Sequence, residues 1–207
     1  MKRIRAWQLG ATIIIFVGIF LVGVQNAMAV SFDYYSHMEN PPVTRHSPPL
    51  NHIKKDLKGK LGEVHLRFPV ELAKKGLNTL QSSVSVKTLI DSPVEFIVEQ
   101  YQLVSENGNV TLYPRYFDKD IKEKKMTVKD ALTKLSGSTY TSKPKYGGPN
   151  FTFQAKGYDA HFKQLTLNIR VKIMYQGQEE IIEDSIPLYR GRYTFGFFEY
   201  LKGQFYE

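Results

Sequence analysis

The sequence of 207 residues contains no cysteine. Without thiols the protein has no disulfide, no cysteine nucleophile, and no cysteine ligands for zinc or an iron–sulfur cluster. A bacterial lipid anchor, which is attached to a cysteine, is excluded for the same reason. A folded domain of this chain must be held together by packing alone, which its 13 phenylalanines and 13 tyrosines favour.

Signatures of the common catalytic sites are also missing. Ser142 and Lys145 match the S-x-x-K pattern of penicillin-binding enzymes, in which the serine begins a helix and the lysine returns beside it one turn later. Pro144 and the surrounding turn formers oppose a helix here, and neither S-D-N nor K-T-G occurs. We therefore interpret the match as coincidence, and we predict no catalytic residues, no metal-binding residues and no cofactor.

Long uncharged apolar runs are scarce, and the prominent one is Ala11–Val24. Lys2, Arg3 and Arg5 precede it, and Ala27-Met28-Ala29 follows it with the small-x-small pattern of a signal-peptidase site. We expect residues 1–29 to be a signal peptide that is cleaved after Ala29. The alternative is an uncleaved membrane anchor, because about 19 residues can just span a bilayer. Both alternatives predict an extracytoplasmic protein, either secreted or tethered to the outer face of the cytoplasmic membrane.

Acidic residues are too few to balance the basic ones, and the net charge is +8. Three of the 28 basic residues and none of the 20 acidic ones precede residue 30, so the remainder carries +5. Outside a cell this charge favours an anionic surface polymer or a membrane or envelope protein as partner, and the compartment disfavours nucleic acid. The candidate binding residues are basic or aromatic: Lys54, Lys55, Lys58, Lys60, Arg170, Lys172, Tyr140 and Tyr146.

Prolines concentrate between the leader and the rest of the chain. Pro41-Pro42 and Pro48-Pro49 oppose helix and sheet, so we predict an extracytoplasmic linker over residues 30–61. Its histidines His37, His46 and His52 lack a rigid frame, and we interpret them as solvated rather than metal-binding. The remainder, 62–207, is predicted to be a single β-rich globular domain.

Within that domain, alternation of apolar and polar residues predicts most of the elements. A strand is expected at 64–68, then a helix that Pro69 opens, with Leu72, Ala73, Leu77 and Leu80 at helical spacing. Two hairpins are expected, 94–117 around Asn107-Gly108 and 165–188 around 176–178. Opposite charges along the second hairpin predict cross-strand ion pairs.

One helix has strong local signals. Thr127 and Asp130 form a capping-box pattern, apolar residues follow on one face, and Gly137 is placed to end the helix. The fold class is therefore a β-rich α+β fold. We expect mainly an antiparallel sheet or a sandwich of about 7–8 strands, with one or two short helices, preceded by an N-terminal hydrophobic helix. Periodicity does not encode the strand order.

These features favour an exported, non-catalytic cell-envelope protein that binds a partner protein, an anionic polymer or a small ligand through its β-rich domain. The first alternative is a permanently membrane-anchored subunit of an envelope assembly. The second is an exported hydrolase with an unfamiliar site, in which His65 or His161 would act with Asp159 or Glu183 and the 138–150 loop would be a lid.

Overall fold

A computed structural model describes residues 14–19, 30–39, 53–74, 77–110, 112–156 and 162–195. The strands are β1 (Val30–Ser36), β2 (Lys54–Lys58), β3 (Gly62–Lys74), β4 (Leu77–Thr88), β5 (Val94–Ser105), β6 (Gly108–Val110), β7 (Tyr113–Pro114), β8 (Tyr140–Ser142), β9 (Phe151–Lys156), β10 (Gln164–Tyr175) and β11 (Gln178–Phe195). The helices are α1 (14–19), α2 (Asp118–Lys122) and α3 (Val128–Ser136), with a 3₁₀ turn at Arg115–Phe117.

The described strands form one antiparallel sheet in the order β6-β5-β10-β11-β1-β3-β4-β9-β7, with β2 beside β3 and β8 beside β5. The sheet curls until its distant strands meet. Tyr101 of β5 stacks on Phe153 of β9 with ring centroids 4.0 Å apart. Ser142 of β8 donates a hydrogen bond of 2.9 Å to the carbonyl of Val86 on β4. The hydrophobic core lies on the inner face of the curled sheet. The prediction of a β-rich, mainly antiparallel fold with few helices is confirmed.

The long hairpin β10–β11 confirms the prediction from alternation. Gln176 and Gly177 form its turn with positive φ angles of 48° and 80°, as a two-residue turn with the twist of a hairpin requires. The core-facing residues of β10, from Leu165 to Ile173, are buried at every second position. The same hairpin therefore supplies one wall of the core and one solvated face.

The predicted hairpin around Asn107-Gly108 is only partly correct. Its first strand is β5, but the return strand β6 pairs over just three residues. Pro114 then lies in β7, which pairs with β9 and ends the sheet order. This is the edge position that a residue without an N–H group favours.

Helix α3 is formed as its local signals predict. The Thr127 hydroxyl accepts from the Asp130 N–H, and the Asp130 carboxylate accepts from the Thr127 N–H, each at 3.1 Å. Gly137 is the C-terminal cap. Ala131 and Leu135 are buried, and the helix packs against β5 and β7, which lie toward opposite ends of the sheet. Helix α3 therefore bridges the gap where the curled sheet remains open.

The linker prediction for 30–61 is wrong for the described parts of that range. Strand β1 lies between β11 and β3, and its Tyr34 and Tyr35 are buried. Strand β2 pairs with β3 over five residues. Arg190 and Arg192 of β11 neutralise the charge of Asp33 within the sheet. The prolines Pro41-Pro42 and Pro48-Pro49 lie outside the described residues.

The helix predicted after Pro69 is wrong as well. The segment forms the end of β3 and the start of β4, which pair with each other from Gly62↔Thr88 to Lys74↔Leu77. The register shifts between Arg67 and Val70, and this irregularity accommodates the missing N–H of Pro69. Pairing with neighbouring strands outweighs a helical spacing that has no cap to support it.

At the N-terminus, residues 14–19 within the predicted apolar leader are helical. No helix in the described ranges is both long and apolar enough to cross a bilayer. The expected cleavage site after Ala29 lies outside the described residues.

Candidate functional site

The basic residues predicted on β10 are held by acids. Arg170 Nε donates to Glu99 Oε2 at 2.8 Å, and its Nη1 donates to Glu183 of β11. Lys172 Nζ lies 2.6 Å from Glu179 Oε1. The hydrogen bond that Arg170 donates to Glu99 and the negative charge of Glu183 raise the pKa of Arg170. The predicted cross-strand ion pairs are therefore confirmed, and this face presents alternating charges rather than a basic surface.

The four lysines of the 54–60 cluster have different surroundings. Lys55 Nζ forms an ion pair of 2.8 Å with Asp184, and Lys58 Nζ lies 3.9 Å from Glu63. Lys54 is exposed and lies opposite Arg67 in the β2–β3 register. Lys60 is exposed, and its backbone N–H donates to Glu180 at 2.6 Å. Half of the predicted cluster is thus paired with carboxylates.

The two predicted binding tyrosines play unlike roles. Tyr140 lies on β8 with its ring centroid 4.6 Å from that of Phe151, so it helps to close the core. Tyr146 is 87% exposed in the turn that follows. The 138–150 segment, which the hydrolase alternative interprets as a lid, contains strand β8, and β8 pairs with β5. Ser142 is buried and also accepts from the Thr88 N–H, so its hydroxyl is engaged in structure.

A cleft of about 580 Å³ lies between helix α3 and strand β5. This size falls within the usual range for small-ligand sites. Its apolar lining consists of Val98, Tyr101, Val128, Leu132, Leu135 and Phe153, and its polar lining of Glu99, Gln100, Gln102, Lys129, Thr133 and Ser136. We call this site the α3–β5 cleft. Val98, Leu135 and Phe153 are buried, so Val128 and Leu132 are the more accessible apolar residues of the lining.

Tyr101 lies at the boundary between the α3–β5 cleft and the core. Its ring is nearly parallel to that of Phe153, at an interplanar angle of 11°. Burial raises the pKa of Tyr101 strongly, and the nearby hydroxyl of Ser82 opposes that rise only partly. Neither hydroxyl has a hydrogen bond of regular geometry to any described residue. Tyr101 therefore stays neutral at all physiological pH values and stiffens the cleft wall through stacking.

The residues proposed for a hydrolase are not assembled in the described part of the chain. His65 Nδ1 lies 2.7 Å from Asp56 Oδ1, whereas Glu183 is bound by Arg170. Asp159 and His161 lie outside the described residues.

Sequence reasoning missed two groupings. The α3–β5 cleft needs contacts between β5, β9 and α3 that no local pattern encodes. Asp56, Glu63 and His65 meet on one face of the β2–β3 hairpin, with their ligand atoms within 4.8 Å of one another. The alternation of Glu63 and His65 is a usable signal, but the proline-rich composition of 30–61 places Asp56 in a predicted linker.

No protein-family model matches the chain, and no curated protein matches it in sequence.

Proposed function

We propose that the protein is an exported, non-catalytic binding protein of the cell envelope, and that it holds a small ligand with an apolar body in the α3–β5 cleft. Export is supported by the order of features in positions 1–29, where basic residues come first, an apolar run follows and a small-x-small motif ends the segment. The cleft is the observation on which ligand binding depends.

The chemistry of the cleft supports this ligand class. Val128 and Leu132, which are half-buried, offer accessible apolar surface, and Tyr101 stacked on the buried Phe153 stiffens the wall formed by β5. Glu99, Gln100 and Lys129 supply acceptors and donors around the cleft. A ligand with one apolar body and one polar end would satisfy both parts of the lining.

The ion pairs around β10 weigh against the anionic-polymer alternative. Arg170 is flanked by Glu99 and Glu183, and Lys172 by Glu179. A polyanion on this face of β10 would have to displace these carboxylates and would gain little from Arg170 and Lys172, which are already neutralised. A small ligand in the cleft requires no such exchange.

The test is to block the cleft without disturbing the rest of the surface. Leu132→Trp places an indole in the cleft, and Ile181→Trp adds the same group at an exposed position of β11, 47% accessible, as the matched control. We expect the wild type and I181W to carry the same small molecules out of the native cells, detected by mass spectrometry after denaturation. L132W should lose them while keeping a wild-type circular dichroism spectrum. Equal retention by all three proteins would reject the cleft as the binding site.

The membrane-anchored alternative is tested separately. We expect the intact mass of the protein from its native cells to correspond to a chain that begins at Val30. A mass that includes Met1, from protein resistant to high-salt extraction, would instead support a permanently anchored subunit.

A further inference from the structure

The β2–β3 hairpin places an imidazole between two carboxylates. Asp56 lies directly opposite His65, and Glu63 precedes His65 by two residues on the same strand face. His65 Nδ1 is 2.7 Å from Asp56 Oδ1, which is a hydrogen-bond distance. His65 Nε2 is 3.7 Å from Glu63 Oε2, which is too long for a hydrogen bond. The two ring nitrogens therefore have different surroundings.

This arrangement matches a known way of preparing histidine for a metal. When a carboxylate accepts the Nδ1–H, the proton is held on that nitrogen and the Nε2 lone pair is free to coordinate. Zinc binds nitrogen and oxygen at about 2.0–2.2 Å with tetrahedral angles, so two of its ligand atoms lie roughly 3.4 Å apart. The separation of 3.7 Å between His65 Nε2 and Glu63 Oε2 approaches that value, and small side-chain rotations can close the difference.

Glu63 supplies a second, independent observation. Its side chain is 11% exposed, and among the described residues its carboxylate is paired with cationic side chains only at distances longer than a hydrogen bond. Its nearest cationic atom outside the imidazole is Lys58 Nζ, at 3.9 Å and on a side chain that is 76% exposed. A largely buried carboxylate is stabilised by a cation that lies closer than these distances. A cation at the position between Glu63 and His65 would compensate that charge directly.

We propose that Asp56, Glu63 and His65 form a site for a divalent metal ion of the zinc class. His65 Nε2 and a Glu63 oxygen are the ligands, Asp56 orients the imidazole, and water completes the coordination. The imidazole ligand selects Zn²⁺ over Ca²⁺ and Mg²⁺, which prefer oxygen donors. This metal site is separate from the α3–β5 cleft and does not depend on the function proposed for it.

The test is a calorimetric titration of the purified full-length chain with Zn²⁺ in a buffer that does not bind metals. We expect one saturable site. His65→Gln and Glu63→Gln should each weaken binding at least 10-fold, and Asp56→Asn by roughly 10- to 100-fold, the usual effect of removing the group that orients a ligand histidine. Lys58→Met should tighten binding, because it removes the cation that competes for Glu63. Circular dichroism confirms that each variant is folded.

Two controls separate this site from other metal-binding groups. Glu123→Gln removes an exposed carboxylate near α2, and the double variant H46Q/H52Q removes histidines elsewhere in the sequence; both should bind Zn²⁺ as the wild type does. Retention of full affinity by H65Q and E63Q would overturn the proposal, and so would loss of binding in H46Q/H52Q alone. Equal affinity for Ca²⁺ and Zn²⁺ would also contradict it. Co²⁺ absorption in the visible range gives an independent readout, and H65Q should abolish that signal.

Discussion

Tyr34 of β1 lies directly across from Gly191 of β11, and its ring fills the space that a Cβ at position 191 would need. Tyr34 is 1% exposed, so the ring cannot move into solvent without opening the core. An aromatic ring over a glycine on the neighbouring strand covers backbone that has no side chain of its own. This pair therefore fits β1 tightly against β11.

Gly191→Ala should destabilise the protein by about 1–3 kcal/mol, because the added methyl group overlaps a buried ring. Urea unfolding followed by circular dichroism measures the change. Tyr34→Leu alone should also be destabilising, but Y34L/G191A should cost less than the sum of the two single variants, since the smaller side chain leaves room for the methyl group. Additive effects would show that the ring does not restrict position 191.

Asp33 links the same two strands through charge. It is 5% exposed, and its carboxylate accepts hydrogen bonds from Arg190 and Arg192, including contacts of 2.9 Å to each Nε. Burial raises the pKa of Asp33, but the hydrogen bonds from Arg192 and Arg190 outweigh burial, so the pKa lies below its ordinary value. The folded state therefore binds this proton more weakly than the unfolded state does.

Asp33→Asn should lower the free energy of unfolding by about 2 kcal/mol at pH 7. This loss is smaller than the loss expected for a fully buried ion pair, because the side chains of both arginines are partly exposed. A lowered pKa contributes stability above the unfolded value of about 3.9, and this contribution disappears as the pH falls through the folded value. The difference between wild type and D33N should thus be constant above about pH 5 and shrink in acid. Asp91→Asn, at an exposed turn, is the control; a D33N difference independent of pH would contradict the assignment.

The elements with local signals were predictable from sequence. Helix α3 has its cap, its apolar face and its final glycine within eleven residues, and the β10–β11 hairpin has strict alternation around a tight turn. Strand β1 lacks comparable local signals, because Arg190, which pairs with Asp33 of β1, lies 157 residues away in the sequence. Pairing over that distance supplies the neutralising charges and the aromatic packing that the isolated heptapeptide lacks.

The candidate sites depended even more on tertiary placement. The opposite charges along the second hairpin predict cross-strand ion pairs in general. They do not place Glu99 beside Arg170, because the β5–β10 pairing is not encoded in either strand alone. Sequence reasoning also assigned Asp56 to a linker and so separated it from His65. The α3–β5 cleft arises only because the sheet curls and brings Phe153 to Tyr101.

Thr127→Ala should destabilise the protein by about 1 kcal/mol, the typical cost of removing a helix cap. The Thr127 side chain and backbone hydrogen bonds lower the pKa of Asp130, so the variant should return that pKa toward its ordinary value. NMR titration of the Asp130 carboxyl group measures this change. Thr139→Ala, at an exposed position beyond the helix, should alter neither quantity. An unchanged Asp130 pKa in T127A would show that the capping box does not form in solution.

The final prediction concerns the charged face of β10. Glu99→Gln combined with Glu183→Gln should strengthen binding to a polyanion, because both carboxylates that neutralise Arg170 are removed. Elution of the full-length chain from a heparin column along a salt gradient measures the effect, since such binding weakens as salt rises.

The matched control is E39Q/E95Q, which changes the net charge by the same amount at two exposed positions. We expect E99Q/E183Q to elute at higher salt than both the control and the wild type. Adding Arg170→Gln to E99Q/E183Q should remove the gain, because the freed guanidinium is the group that binds the polymer. If the control and E99Q/E183Q eluted together, net charge alone would determine polyanion binding. The ion pairs of Arg170 would then have no part in suppressing it, and the anionic-polymer alternative would regain support over a ligand in the cleft.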